Sequence, residues 1–74
     1  MSQFTSITGN ELIKALSKIG FTVVRIKGSH HRLGHTDGRK TTIPVHGKET
    51  LGTGILLKIL RDLDLSRDDL LKLL

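Results

Sequence analysis

The residues best suited to chemistry in this sequence are histidines in a basic segment that runs from Lys27 to Arg39. His30, His31 and His35 lie in this segment. Histidine has an unperturbed pKa of about 6.5, so it both accepts and donates protons near neutral pH. RNA carries its own nucleophile, the 2′-hydroxyl, which DNA lacks. A histidine that moves one proton while cations hold the phosphate can therefore cleave RNA without a metal. Such histidines can also serve only as phosphate contacts, and the residues alone leave both roles open.

The spacing of the histidines argues against a metal site. On a strand, His31 and His35 would stand about 13 Å apart, at about 3.3 Å per residue. Zinc requires ligand nitrogens about 2 Å from the ion, so this pair cannot share one. Glu11 and Glu49 are the only glutamates, and the chain has no cysteine. We therefore expect neither a metal nor another cofactor.

The segment that precedes the histidines has the pattern of a helix. Thr8 and Glu11 have the spacing of a capping box, in which each side chain bonds a free backbone N–H of the other. Gly20 is placed to end the helix in the left-handed conformation. Four apolar residues recur between them at the spacing of one helix face: Leu12, Ala15, Leu16 and Ile19.

The central part of the chain has the pattern of three strands. Strands are predicted from Phe21 to Lys27, from His30 to His35 and from Arg39 to Val45. These segments suit strands because turn residues separate them and β-branched residues such as Val23, Val24 and Ile26 occur in them. Gly28-Ser29 and Thr36-Asp37-Gly38 are the predicted turns. The histidine segment is therefore expected to form the central strand and the turns on either side of it.

Two further helices are predicted after a loop that runs from His46 to Thr53. The first has an apolar stripe that extends from Leu56 to Leu63. Ser66 and Asp69 have the spacing of a cap on a short last helix. The predicted fold is α+β, α-β-β-β-α with an extra C-terminal helix, formed by residues 1–74 as one domain. This order resembles the double-stranded-RNA-binding domain, in which helices cover one face of a three-stranded sheet.

Alternation along the second strand assigns its side chains to two faces. His31, Leu33 and His35 share one face, and His30 and Arg32 share the other. Leu33 is the only large apolar residue of this strand, so its face is expected to lie against the helices. His30 and Arg32 are then expected on the open face of the sheet.

The charge distribution indicates an anionic partner. The net charge of the chain is +5. Residues 1–50 contain eight Lys/Arg and three Asp/Glu, which gives 8 − 3 = +5, and residues 51–74 contain four of each. Nucleic acid is the simplest such partner.

With no signal peptide, membrane span or cysteine in the sequence, we expect a cytoplasmic protein without membrane contact. Phe4 and Phe21 are the only aromatic residues, which disfavours a base-stacking platform.

The chain resembles the HicA family, also described as YcfA-like proteins, over nearly its whole length. The resemblance begins in the first helix and extends through the third strand into the second helix. Its motifs are Ile19-Gly20-Phe21, Lys27-Gly28-Ser29-His30-His31, Asp37-Gly38-Arg39, Ile43-Pro44-Val45-His46 and Ile59-Leu60-Arg61-Asp62.

The resemblance implies metal-independent cleavage of mRNA and neutralisation by a HicB-type antitoxin. The catalytic histidine of the family follows the Gly-Ser pair, which places it at His30. Around it, we expect the RNA to be bound by basic residues and by one serine: Arg25, Lys27, Ser29, Arg32, Arg39 and Lys40.

Two other functions compete with this interpretation. A non-catalytic module that binds structured RNA by charge and shape would have the same fold. The last two helices, joined at Asp64-Leu65, also have the outline of a DNA-binding helix-turn-helix. Residues 66–74, however, carry two acids and two bases, whereas a recognition helix should be basic. Direct contact with DNA is therefore not expected.

Overall fold

The computed structural model describes residues 6–74 and contains a three-stranded antiparallel sheet with helices on one face. The strands lie in the order β1-β2-β3, so β2 is central and β1 and β3 are the edges. This confirms the predicted α+β fold, which resembles the double-stranded-RNA-binding domain with an extra C-terminal helix. The elements are α1 (Gly9–Ser17), β1 (Thr22–Lys27), β2 (His30–Gly34), β3 (Lys40–Pro44), α2 (Thr53–Asp62) and α3 (Arg67–Leu73).

Local hydrogen bonds explain where α1 begins and ends. The Glu11 amide donates to the Thr8 hydroxyl over 3.1 Å, and the Glu11 carboxylate accepts from the Thr8 amide over 2.8 Å. At the other end Gly20 has a φ of 97°, and the Phe21 amide donates back to the Leu16 carbonyl over 3.2 Å. These are the capping box and the glycine-terminated end that the sequence predicts. Because its amide serves this cap, Phe21 is not part of β1.

The same kinds of cap are found at the end of α2 and at the start of α3. α2 ends with Asp64 in the left-handed conformation, at a φ of 56°, and the Leu65 amide donates to the Leu60 carbonyl over 2.9 Å. An aspartate thus occupies a position that normally favours glycine. At the start of α3, Ser66 and Asp69 form a second capping box, as predicted.

The core lies between the helices and one face of the sheet. The predicted apolar stripes of α1 and α2 point into it, and Leu33 of β2 and Ile43 of β3 are fully buried beneath them. The buried Thr41 hydroxyl donates to the Asp62 carboxylate over 3.0 Å and so joins β3 to α2. No helix within residues 6–74 covers the opposite face at Arg25 and Arg32, where the sheet lines a surface depression. The sheet therefore has one buried and one open face.

A bulge in β1 determines which of its side chains reach the open face. Val23 pairs with Leu33, and Arg25 pairs with Arg32, so Val24 is an extra residue between the two pairs. Leu33 and Arg32 are neighbours in β2 and point to opposite faces. The bulge therefore lets β1 place Val23 towards the helices and Arg25 on the open face.

Candidate active site

The open face of the sheet carries a basic depression of about 360 Å³. It is lined by residues from all three strands, so the backbone hydrogen bonds of the sheet fix their relative positions. Four of the predicted site residues meet there, together with one that was not predicted: Arg25, Lys27, His30, Arg32 and Thr42. We call this group the basic cluster. None of its members is acidic, so the cluster favours an anionic ligand.

His30 is positioned by the tight turn between β1 and β2. It is the first residue of β2 and pairs with Lys27 across a two-residue turn. Gly28, the first turn residue, has a φ of 60°, which is readily adopted only by glycine. The Ser29 carbonyl accepts the Val45 amide over 2.7 Å and ties the turn to the end of β3. Ser29, which was predicted to bind RNA, precedes His30 in this turn and is not among the residues that line the depression.

The His30 ring is exposed and makes no hydrogen bond with another residue between 6 and 74. Both ring nitrogens are therefore open to a ligand. Such a ring can accept a proton at one nitrogen while the other contacts water. Its position beside Lys27 places a ring that is capable of proton transfer next to a cation.

Thr42 was not predicted and positions a member of the basic cluster. Arg32 and Thr42 are paired across β2 and β3, and the guanidinium of Arg32 donates to the Thr42 hydroxyl over 3.2 Å. This bond holds the guanidinium along the sheet surface. Alternation along β3 could have identified Thr42, because it lies one residue from the buried Ile43. Lys40 shares the face of Thr42 and is exposed beyond the cluster, opposite Gly34.

Arg39 is not brought to the basic cluster. Its guanidinium donates to the Leu63 carbonyl over 2.8 Å and to the Asp37 carboxylate over 2.8 Å. It also lies 5.0 Å from the centre of the buried Phe21 ring. Arg39 lies two residues before Thr41, whose side chain is buried against the helices. Because side chains two residues apart in extended chain point to the same face, the Arg39 side chain turns away from the open face. These contacts give it a structural role between the hairpin and the end of α2.

The other two histidines of the segment lie on the helix-covered side. His35 Nε2 lies 2.9 Å from the Ile19 carbonyl, so this nitrogen carries the proton and donates. Nδ1 then accepts from the Asp37 amide over 3.1 Å, and the ring packs against Phe21 at 4.8 Å. His31 Nδ1 is buried without a hydrogen-bond partner among the described residues. Neither ring is placed like that of His30.

The aspartates with shifted pKa values lie outside the basic cluster. A hydrogen bond from the Arg39 amide lowers the pKa of Asp37 from its ordinary value of 3.8. A hydrogen bond from Lys58 lowers the pKa of Asp62, and the N-cap amide of α3 lowers that of Asp69. These carboxylates serve as ionised structural acceptors. Within residues 6–74, no three side chains of histidine or acidic residues are grouped as metal ligands.

The sequence of this chain matches a known protein family. The model described as the HicA toxin of bacterial toxin–antitoxin matches residues 9–65 of the 74-residue chain. The chain belongs to the HicA toxin family. It is thus a toxin of a toxin–antitoxin system, and this membership implies a cognate antitoxin. No curated protein matches the sequence.

The matched region of this HicA toxin contains the entire basic cluster. It ends at residue 65, so α3 lies beyond it. α3 nevertheless packs on the family core, because Leu70 is fully buried and the Lys18 ammonium of the α1 end donates to the Leu73 carbonyl over 2.7 Å. None of the helices in the described part of the chain has the length and apolarity needed to span a membrane.

Proposed function

We propose that this HicA toxin is a cytoplasmic endoribonuclease, folded as one domain, that cleaves mRNA without a metal and uses His30 as its general acid/base. The observation that carries the proposal is the position of His30. Its ring is exposed in the basic depression, next to Lys27 and within the same lining as Arg25 and Arg32. A proton-transfer group beside several cations, with no carboxylate in the lining, suits a reaction that moves one proton at a phosphate.

The reaction that fits these groups is transfer of the phosphate to the neighbouring 2′-oxygen. His30 accepts the proton of the 2′-hydroxyl while the bond between this oxygen and phosphorus forms. The bond from phosphorus to the 5′-oxygen breaks, and this oxygen takes a proton from water. His30 then returns its proton to the solvent. The products are a 2′,3′-cyclic phosphate and a free 5′-hydroxyl.

The cations of the basic cluster act on the charge of the phosphate. Negative charge builds on the non-bridging oxygens as the new bond forms, and donors already in place stabilise it. Arg32 is held in place by Thr42. Arg25 and Lys27 lie on the neighbouring strand, and Lys40 and Ser29 extend the basic surface along the RNA backbone. The cluster contains no Phe, Tyr or Trp side chain, so we expect weak sequence selectivity and a strong dependence on salt.

We further propose that a HicB-type antitoxin silences the toxin by covering the open face. An exposed catalytic histidine in a basic depression is accessible to any acidic protein segment of suitable shape. Covering His30 would block the RNA and neutralise the surface charge in one step. Expression of the toxin alone is therefore expected to arrest growth.

Two adjacent histidines provide the decisive experiment. His30→Ala removes an exposed ring, so the variant should keep its melting temperature and its affinity for uncleavable 2′-deoxy RNA. Its single-turnover cleavage should fall by roughly 10²–10⁴-fold, the usual effect of losing a general acid–base group. His31→Ala is the matched control, because its ring lies partly buried on the other face. It should reduce stability and leave cleavage by the folded fraction intact.

The outcomes separate catalysis from binding alone. Unchanged cleavage by folded His30→Ala would refute the assignment of His30. Absence of cleavage by the unmodified toxin, with retained binding to RNA, would instead support a non-catalytic RNA-binding module.

A further inference from the structure

β1 is an edge strand, and its side chains are uncovered on both faces of the sheet. All six of its residues are exposed, and no other strand among the described residues pairs with its outer edge. Its outer backbone N–H and C=O groups therefore lack strand partners. Natural proteins usually protect such an edge with charged side chains, a β-bulge, proline or a covering loop, and β1 has the first two, with Arg25, Lys27 and the bulge at Val24. β1 contains no proline, and three of its six side chains are valine or isoleucine.

On the helix-covered face, the register shows apolar rows that stop at β1. One row runs from Ile43 through His31 to Ile26. Ile43 is fully buried, whereas Ile26 is 60% exposed. The other row runs from the buried Leu33 to Val23, which is 39% exposed. Val23 and Ile26 thus lie outside the core cluster and are left uncovered at the edge of the helix-covered face. A neighbouring strand with apolar residues in these rows would complete both.

On the open face, the corresponding rows end in cations. Arg32 is followed across the sheet by Arg25, and His30 is followed by Lys27. Neither β1 nor β2 contains an acidic residue. A strand added beside β1 would therefore meet positive charge on this face, and opposite charges on facing strands stabilise the pairing.

We propose that β1 binds an extended segment of the cognate antitoxin as a fourth strand, with acidic and apolar residues in alternation. Acidic side chains of this segment would face Arg25 and Lys27, and apolar ones would cover Val23 and Ile26. Backbone hydrogen bonds along the edge supply affinity, and the alternation supplies specificity. The inference rests on the proposed function at one point: the same antitoxin also covers His30, which lies on the neighbouring strand β2.

Two other occupants of the edge fit less well. A second copy of this chain, paired antiparallel through β1 with Ile26 at the two-fold axis, would place Arg25 of each copy opposite Lys27 of the other, and like charges in this position are destabilising. RNA would satisfy the cations but not the apolar rows or the backbone groups of the edge. The combination of charge, apolar side chains and free backbone is specific to a peptide strand.

The first test uses the full chain and a blocked synthetic peptide in which glutamates alternate with valines. Binding is expected to slow hydrogen exchange of β1 amides by about tenfold or more, as NMR can measure for each residue. A peptide with lysines in place of the glutamates should not bind. A peptide of the same composition with the glutamates grouped at one end should not protect β1.

A pair of isoleucine variants tests the apolar row. Ile26→Thr keeps a β-branched residue in the strand but removes apolar contact, so the peptide should bind roughly fivefold more weakly. Ile55→Thr makes the same change at a residue of α2 that is 46% exposed and should leave peptide binding unchanged. Neither residue lines the depression, so both variants should cleave RNA as the unmodified toxin does.

Several outcomes would overturn the inference. These are absence of peptide binding, shifts confined to the basic cluster without protection of β1, and dimers of the free chain that protect β1 by themselves. In the complex purified with the cognate antitoxin, the β1 amides should also be protected; exchange at the rate of the free toxin would exclude the antitoxin as the source of the strand. Because protection of the β1 amides is measured without cleavage, protection of β1 in a chain that fails to cut RNA would support the inference and contradict the proposed nuclease.

Discussion

Arg39 and Lys40 are neighbours in sequence, but Arg39 contacts the end of α2 and Lys40 is exposed on the open face. We expect methionine at Arg39 to lower stability and methionine at Lys40 to weaken RNA binding. Methionine keeps an unbranched apolar chain and removes the charge. At Arg39, the change removes donors from the Leu63 carbonyl and the Asp37 carboxylate. At Lys40, it removes an exposed ammonium from the open face and no hydrogen bond that the structure shows.

The size of the Arg39 effect follows from its contacts. Its side chain is only 30% exposed, so the charged hydrogen bond to the Leu63 carbonyl is worth about 1.5–3 kcal/mol. The position over the Phe21 ring adds about 0.5–1 kcal/mol, while the ion pair with exposed Asp37 adds little. Methionine recovers some packing, so Arg39→Met should cost about 2–3 kcal/mol. In a domain of this size, this lowers the melting temperature by roughly 10–20 °C.

Thermal melts and salt titrations of RNA binding measure the two effects separately. Arg39→Met should melt early, yet at low temperature its folded form should bind 2′-deoxy RNA with an unchanged salt dependence. Lys40→Met should melt within about 2–4 °C of the unmodified toxin, because exposed substitutions change stability by at most about 0.5 kcal/mol. Its salt dependence should decrease by about 0.7 in logarithmic slope, the loss of one phosphate contact with a single strand. The opposite pattern, a stable Arg39→Met with a reduced slope, would refute this assignment.

Three further predictions concern stability and the metal. Asp64→Gly should stabilise the toxin by about 0.5–1 kcal/mol, seen as a higher melting temperature, because glycine adopts the left-handed end of α2 without strain; a lower melting temperature would contradict this. Asp37, Asp62 and Asp69 have pKa values below 3.8 in the folded chain, so the unfolded chain is protonated first as pH falls. Their contribution should be complete above about pH 5 and lost as pH drops through 3.8 and below, with urea midpoints that fall in this range; midpoints that stay constant would show that these contacts do not matter. Cleavage should persist in excess chelator, and activity that disappears and returns with magnesium or zinc would refute the metal-independent mechanism.

The helix caps were predictable from sequence because their hydrogen bonds join residues three positions apart. Thr8 with Glu11 and Ser66 with Asp69 form as expected, and each pair needs no information from the rest of the chain. The faces of β2 were predictable for a similar reason. Alternation is a property of the strand itself, so one buried leucine, Leu33, was enough to place the whole strand.

The features that were not predictable depend on contacts between distant parts of the chain. The bulge at Val24 arises from the pairing of β1 with β2, and no signal in the sequence marks the extra residue. The basic segment suggested that Arg39 contacts RNA, whereas its partner Leu63 lies 24 positions away. Alternation could have placed Thr42 on the open face, but its hydrogen bond with Arg32 appears only when the register places the two residues opposite each other.

The two-faced sheet also affects how this toxin can diverge between lineages. Folding depends on the apolar face and its helices, whereas the Lys and Arg side chains of the open face are exposed. A substitution there typically changes stability by at most about 0.5 kcal/mol, which is small against the roughly 4–11 kcal/mol expected for a domain of this length. Charges on the open face outside the basic cluster can therefore be exchanged by genetic drift without bringing the chain near its unfolding threshold. Toxin and antitoxin surfaces can then change together, until toxins from separate lineages no longer recognise each other's antitoxins.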